Sequence, residues 1–206
     1  MKTEPRRHLE TVRQRPAGST RRQVIRQGAL GGSALLVGAF GIGRLVPVWA
    51  AIDVTESTTA GPFYKPGAPF RSTLIESGIE GTPFVLSGRV LDPDGALRRN
   101  AIVDLWHADA TGTYDNEGFR LRGRVRTDGE GRYTFRTIRP KFYSGRPAHF
   151  HFKVYGDGVR ELTTQLFFTG DPLLGRDRIA RSSLILTPQE HEDGLTAAFD
   201  FVVRRS

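Results

Sequence analysis

The 206-residue sequence contains no cysteine. That excludes disulfides, thiolate metal sites, a cysteine nucleophile and a lipidated N-terminal cysteine. Any transition metal must then be held by histidine, tyrosine or carboxylate. Also missing is an apolar run of about 20 residues, the length a helix needs to cross a bilayer. Charge of one sign is scarce beyond the first quarter of the chain. The formal net charge is +8, but residues 1–50 hold nine Lys/Arg and two acids, while the rest holds 21 basic and 20 acidic side chains. A body this close to neutral carries no electrostatic footprint for nucleic acid. The length suits one domain with appendages, and such a chain can bury an adequate core without disulfides.

The basic excess belongs to a leader. Residues 1–27 are polar and end in Thr20-Arg21-Arg22-Gln23-Val24-Ile25-Arg26. Gly28 to Gly43 is uncharged and rich in Gly, Ala and Leu, and Val48-Trp49-Ala50-Ala51 supplies small residues for cleavage. This is the order of a signal peptide. The pair Arg21-Arg22 before a weakly hydrophobic core resembles a twin-arginine signal. A retained anchor is the competing reading, and the short apolar stretch disfavours it. The expectation is an export signal over 1–50 and a mature domain over 51–206, periplasmic or secreted, without stable membrane insertion.

After residue 51 no stretch keeps a helical period. Short β-rich runs alternate with Gly/Pro/Asp/Asn punctuation. The expected strands are Phe84–Leu91, Ala101–His107, Leu121–Thr127, Arg132–Thr137, His149–Tyr155, Leu162–Phe168, Ser183–Leu186 and Ala198–Val203. Asp92-Pro93-Asp94-Gly95 and Thr127-Asp128-Gly129-Glu130-Gly131 are turn signals between them. The fold class is all-β, an antiparallel β-sandwich. Helix is expected only in short turns such as Pro188–Glu192, and 51–80, with Pro62, Pro66 and Pro69, as an irregular arm.

The sharpest local feature is Arg146-Pro147-Ala148-His149-Phe150-His151-Phe152. On a strand, His149, His151, Lys153 and Tyr155 share one face, and Phe150, Phe152 and Val154 the other. Two imidazoles so spaced can place nitrogens on one metal ion, although many His-x-His pairs are only polar strand faces. Tyr143 precedes this strand in a loop, and Tyr114 follows Ala101–His107 in a turn-rich segment. Either tyrosine alone reads more readily as a packed side chain with a local hydroxyl partner. Together with two imidazoles, hard phenolate oxygens favour ferric iron over zinc or copper(I). His107 reads as structural or as a residue behind the ligands, His191 as part of a solvated turn, and Trp106 as a core residue of the sandwich.

Four blocks then resemble one family. Asp104-Leu105-Trp106-His107-Ala108-Asp109-Ala110-Thr111-Gly112-Thr113-Tyr114 is similar to the D-x-W-x-A/C-x-A-x-G-x-Y segment of intradiol ring-cleavage dioxygenases. Tyr143 with Arg146-Pro147-Ala148-His149-Phe150-His151-Phe152 resembles the Y…R-P-A-H-x-H-F block, and Gln165-Leu166-Phe167-Phe168-Thr169-Gly170-Asp171-Pro172 the Q-L-x-F-x-G-D-P block. Thr59-Ala60-Gly61-Pro62-Phe63-Tyr64 is similar to the arm that borders the family's pocket. The resemblance implies a β-sandwich holding non-haem Fe(III) through Tyr114, Tyr143, His149 and His151. It implies insertion of both atoms of O₂ into a catechol-type diol to give a cis,cis-muconate. It further implies that the tyrosine at Tyr143's position yields to substrate, that Arg146 is the active-site arginine, and that Gly61, Pro62 and Gln165 border the substrate.

The chain departs from the family pattern in two places. Only five residues separate Tyr143 from His149, where catechol and protocatechuate members carry a longer insertion, so a more open pocket is expected. No counterpart of the helical dimerisation domain of the catechol-cleaving branch is evident, so oligomeric state does not carry over and a homo-oligomer stays open. Two rivals stand beside the enzyme reading. One is a secreted β-sandwich binding module with a degenerate metal site; the other is a zinc hydrolase built on His149, His151 and His107.

Overall fold

A computed structural model describes residues 51–206; the expected export signal at 1–50 lies outside the described residues. Among the described residues ten strands form two five-stranded sheets. The strands are β1 (Pro83–Leu91), β2 (Ile102–Trp106), β3 (Arg122–Arg126), β4 (Arg132–Ile138), β5 (His149–Gly156), β6 (Val159–Phe168), β7 (Ile185–Leu186), β8 (Gln189–His191), β9 (Gly194–Ala198) and β10 (Phe201–Val202). One sheet has the order β3-β2-β5-β6-β7; the other has β10-β1-β9-β8, with β4 on the free side of β1.

The sandwich expected from the sequence is there, but its sheets are mixed rather than purely antiparallel. β1 pairs in parallel with β9 and β10, and β6 with β7. The run expected as one strand, Ala198–Val203, is split because Asp200 turns its carboxylate to Arg89, accepting from its backbone N–H at 2.8 Å and its guanidinium at 2.6 Å. The expected strand Ser183–Leu186 begins instead as a 3₁₀ turn, Ser182–Leu184. The short helix expected over Pro188–Glu192 is the strand β8, because pairing with β9 satisfies backbone groups that a single helical turn would leave open. His191 therefore lies on this exposed strand, with Nε2 2.9 Å from the Thr196 hydroxyl, and not in a turn.

β5 explains the core. Phe150, Phe152 and Val154 are fully buried between the sheets. The Phe150 ring lies edge-on to Phe84 of the facing sheet, at 5.3 Å between centroids, and to Phe168 at 5.2 Å. The opposite face of the same sheet is also buried, which alternation alone does not anticipate. Register sets Trp106 opposite both Arg122 and His151, and His151 opposite Gln165. Arg122, Trp106, His151 and Gln165 thus form one row across four strands, on the face away from the core. Residues 51–80, irregular as expected apart from bridges at Phe70 and Thr73, are tied to the sheets by Thr58 N–H to the Thr163 carbonyl and Arg71 N–H to the Arg124 carbonyl.

Phe150→Ala removes the ring that joins the two sheets and should cost about 3–5 kcal/mol in denaturant unfolding. A loss below about 1 kcal/mol would mean that the sheets are not packed through this residue.

Candidate metal centre

The centre is built from β5 and three segments that converge on it. His149 and His151 leave β5 on one face, 3% and 2% exposed. Their Nε2 atoms are 3.0 Å apart. The Tyr114 hydroxyl lies 3.1 Å from His151 Nε2 and 3.4 Å from His149 Nε2. The tautomer of His149 is fixed by its other nitrogen. Nδ1 is 2.6 Å from the Pro147 carbonyl, which can only accept, so Nδ1 carries the proton and Nε2 presents a bare lone pair to the cluster.

Tyr114 reaches the histidines from a loop with its own scaffold. The Asp109 carboxylate accepts the N–H groups of Thr111 and Thr113, and that of Asp115 accepts those of Glu117, Gly118 and Arg120. Gly112 has φ +89, and a Cβ there would sit 2.5 Å from the Phe142 carbonyl oxygen. Only glycine lets this loop rest on the chain just before Tyr143. Tyr143 and Arg146 face each other across the two-residue turn Ser144-Gly145, both at positive φ. This hairpin puts the Tyr143 ring edge-on to Tyr114, centroids 5.5 Å apart, and leaves Tyr143 half-buried at the rim.

Arg146 is held rigidly. Its Nε and Nη2 donate to Asp177 at 2.8 and 3.3 Å, and Nη2 also donates to Gln165 Oε1 at 2.9 Å. The remaining Nη1 is 3.5 Å from His149 Nε2. Gln165 is fully buried, and its amide N–H₂ donates to the Thr59 carbonyl at 2.7 Å. It therefore joins the arm to Arg146 and uses both ends of its amide within the protein. From the arm, Gly61 approaches so closely that a Cβ would lie 3.3 Å from His151 Cε1. Pro62 is exposed beside it, and Phe63 stacks on Tyr114 with centroids 4.4 Å apart and 12° between planes.

Burial sets the charge state. It lowers His149 to about 4 and holds His151 well below the usual histidine value, so both are neutral and ligand-competent at pH 7. Burial raises Tyr114, so the free phenol is protonated and a bound cation is what would ionise it. The residues fit a metal ion. The two imidazole nitrogens, 3.0 Å apart, are close enough to bind one ion together. A bare, tautomer-locked nitrogen, a second imidazole and a phenol converge, and a phenol ionised to a hard oxygen donor suits a trivalent cation better than zinc. His107 does not join them: Nε2 meets the Thr137 hydroxyl at 2.7 Å and Nδ1 the Ala108 carbonyl at 2.7 Å. Among the described residues no three His, Cys, Asp or Glu side chains are placed to hold a metal ion, and with His107 turned to Thr137 and Ala108 the three-histidine zinc arrangement is not formed.

Sequence reasoning missed four residues around the site. Trp106, expected in the sandwich core, faces away from it and stacks on His151 at 5.0 Å and 9°, because Leu105 takes the inward position. Phe63, Asp177 and Arg122 were also missed. Phe63 stood inside the quoted arm motif. Asp177 and Arg122 act through side-chain and carbonyl contacts far along the chain, for which local pattern holds no signal.

A sequence profile of the Dioxygenase family matches residues 59–205. Catechol 1,2-dioxygenase 2 of Acinetobacter lwoffii is 38% identical, over 60% of this chain and 54% of the relative. The protocatechuate 3,4-dioxygenase beta chain of Burkholderia cepacia is 40% identical, over 58% and 57% respectively. The chain thus spans a little over half the length of these relatives. Among solved structures, the dioxygenase domain of a dioxygenase–carbohydrate-binding protein fusion from Streptomyces sp. SirexAA-E superposes with a TM-score of 0.72 at 36% identity, covering 75% of this chain and 100% of that one. Hydroxyquinol 1,2-dioxygenase from Pseudomonas putida DLL-E4 gives 0.68 at 28% identity, covering 75% and 68%.

Acidification tests the neutral histidines. Above pH 6.5 they are uncharged both folded and unfolded. Between 6.5 and about 4 the unfolded chain takes up protons that buried His149 and His107 refuse, so stability falls. Asp104 works the other way: burial raises it from 3.8 to about 6, so its contribution is present at low pH and lost as pH rises through 6. With His151, also held well below the usual histidine value, three histidines outweigh one carboxyl, and the Tm of metal-free protein should drop between pH 6.5 and 4. A flat or rising Tm would show that the imidazoles are not buried in neutral form.

Proposed function

The chain belongs to the intradiol dioxygenase family, and from that premise we propose that it is an Fe(III)-dependent enzyme that inserts both atoms of O₂ into a catechol-type diol to give a cis,cis-muconate. One observation carries the reading: Tyr114, His149 and His151 bring their donor atoms within 3.4 Å of one another, with Arg146 Nη1 3.5 Å from His149 Nε2. Tyr114, Tyr143, His149 and His151 would hold the iron. When bound, the ion supplies Lewis-acid activation of the diol and a template that orients it.

The protein's own residues divide the remaining work. Tyr143 stands on a tight hairpin at the rim, so it can move with little disturbance, whereas Tyr114 is pinned under Phe63. A phenolate that leaves takes a proton, so Tyr143 Oη would carry off one proton of the incoming diol. Arg146, fixed by Asp177 and Gln165, keeps a planar cation where negative charge develops on the ring, and needs no reorganisation to act. Gly61 and Pro62 form the arm-side wall, and the absence of a Cβ at Gly61 keeps the space beside His151 open. Trp106 and Phe63 exclude water from the imidazole and phenol faces.

Export is part of the same proposal. It rests on residues 1–50, with their twin arginine, uncharged Gly/Ala/Leu stretch and small-residue cleavage site. A twin-arginine route carries folded proteins and would allow iron to be inserted beforehand.

The test is O₂ uptake and muconate formation by the purified mature chain over a panel of catechols. His149→Ala should lose iron and all turnover. Arg146→Ala should retain iron and lose about 10²–10³ in kcat, the size of effect seen when a charge-stabilising donor is removed. Full activity in His149→Ala, or an unchanged rate in Arg146→Ala, would contradict these assignments.

A further inference from the structure

Arg122 is an unusual residue to find beside such a centre. It lies on β3, is 1% exposed, and takes part in none of the ion pairs among the described residues. Burying an arginine is costly unless all its donors are used. Here each of its three nitrogens makes one hydrogen bond to a backbone carbonyl. Nη1 donates to Phe63 at 2.6 Å, while Nε and Nη2 both donate to Asp115, at 3.1 and 2.8 Å.

Those two carbonyls belong to segments that are far apart in sequence and enclose one side chain. Asp115 directly follows Tyr114 in its loop, and Phe63 is the arm residue whose ring stacks on the Tyr114 phenol. Arg122 is anchored in turn, opposite Trp106 in the row that also holds His151, and its own carbonyl accepts from Arg71 Nε at 3.1 Å. One guanidinium therefore connects the sheet, the arm and the Tyr114 loop.

We propose that Arg122 is a positioning residue that couples seating of the arm to placement of the Tyr114 phenol, so that neither segment moves without the other. A lysine could not substitute. Its ammonium is a point charge on a flexible stem and cannot present the fixed fork that spans both carbonyls. The link bears on catalysis through the reading of Tyr114 as a ligand, but the coupling itself belongs to the metal-free protein.

Hydrogen exchange on the metal-free chain, followed by mass spectrometry, tests it. In the wild type, peptides covering 59–66 and 111–118 should open together with one rate. In Arg122→Lys and Arg122→Ala both should exchange about tenfold faster or more, with β1 and β4 unchanged. Arg122→Lys loaded with iron should keep its iron content and shift its visible tyrosinate charge-transfer band, because the phenol is reoriented. Separate opening rates in the wild type would overturn the coupling. So would loosening of only one segment in the variants, uniform acceleration across the sheets, or an unshifted band. If no iron binds to the wild type, the ligand assignment fails, while the exchange result still decides the coupling.

Discussion

Everything at this centre depends on the two-residue period of β5. Phe150 and Phe152 occupy the core face, so His149 and His151 must occupy the other. A slip of one residue in register would send both imidazoles into the core and both phenylalanines to the site. The cost of burying Phe150 and Phe152 elsewhere therefore protects the ligand pair. The neighbouring strands extend this logic, since pairing with β2 and β6 fixes Trp106 and Gln165 on either side of His151. Core packing and site geometry are two faces of one strand.

The oxygen donors come from less regular structure, and each is secured by a different device. Tyr114 sits in a loop braced by two aspartates and covered by an aromatic ring from the arm. Tyr143 sits at the end of a hairpin, half-buried, with edge-on contacts to Phe63 and Tyr114 and, among the described residues, no ring stacked on it. That asymmetry in restraint is what the proposed division between a ligand that stays and one that yields would require. Arg146 completes the arrangement, its charge balanced by Asp177 so that a cation can be kept beside neutral histidines.

The parts legible in the sequence were those governed by local period and punctuation. The centres of the long strands followed from alternation, and the shared face of His149 and His151 followed from their spacing. The strands β8 and β9 were not legible, because β9 finds its partner in β1 more than a hundred residues earlier and β8 in turn pairs with β9. Trp106 was misassigned for a related reason. When both faces of a sheet are buried, hydrophobicity no longer says which way a side chain points. Tyr114 and Tyr143 stood out only through the family resemblance, since a tyrosine in a loop has no local mark of a ligand. Arg122 and Asp177 bind across the fold, and nothing near them in the chain signals it.

We propose that a phenol and two imidazoles meet to hold ferric iron. The most direct measurement is the iron content and visible spectrum of the purified mature chain, alongside Tyr114→Phe. The account predicts about one iron per chain and a tyrosinate-to-iron charge-transfer band in the wild type. In Tyr114→Phe that band should be lost or strongly weakened. A colourless wild type, or a variant that keeps both the iron and the unaltered band, would contradict it.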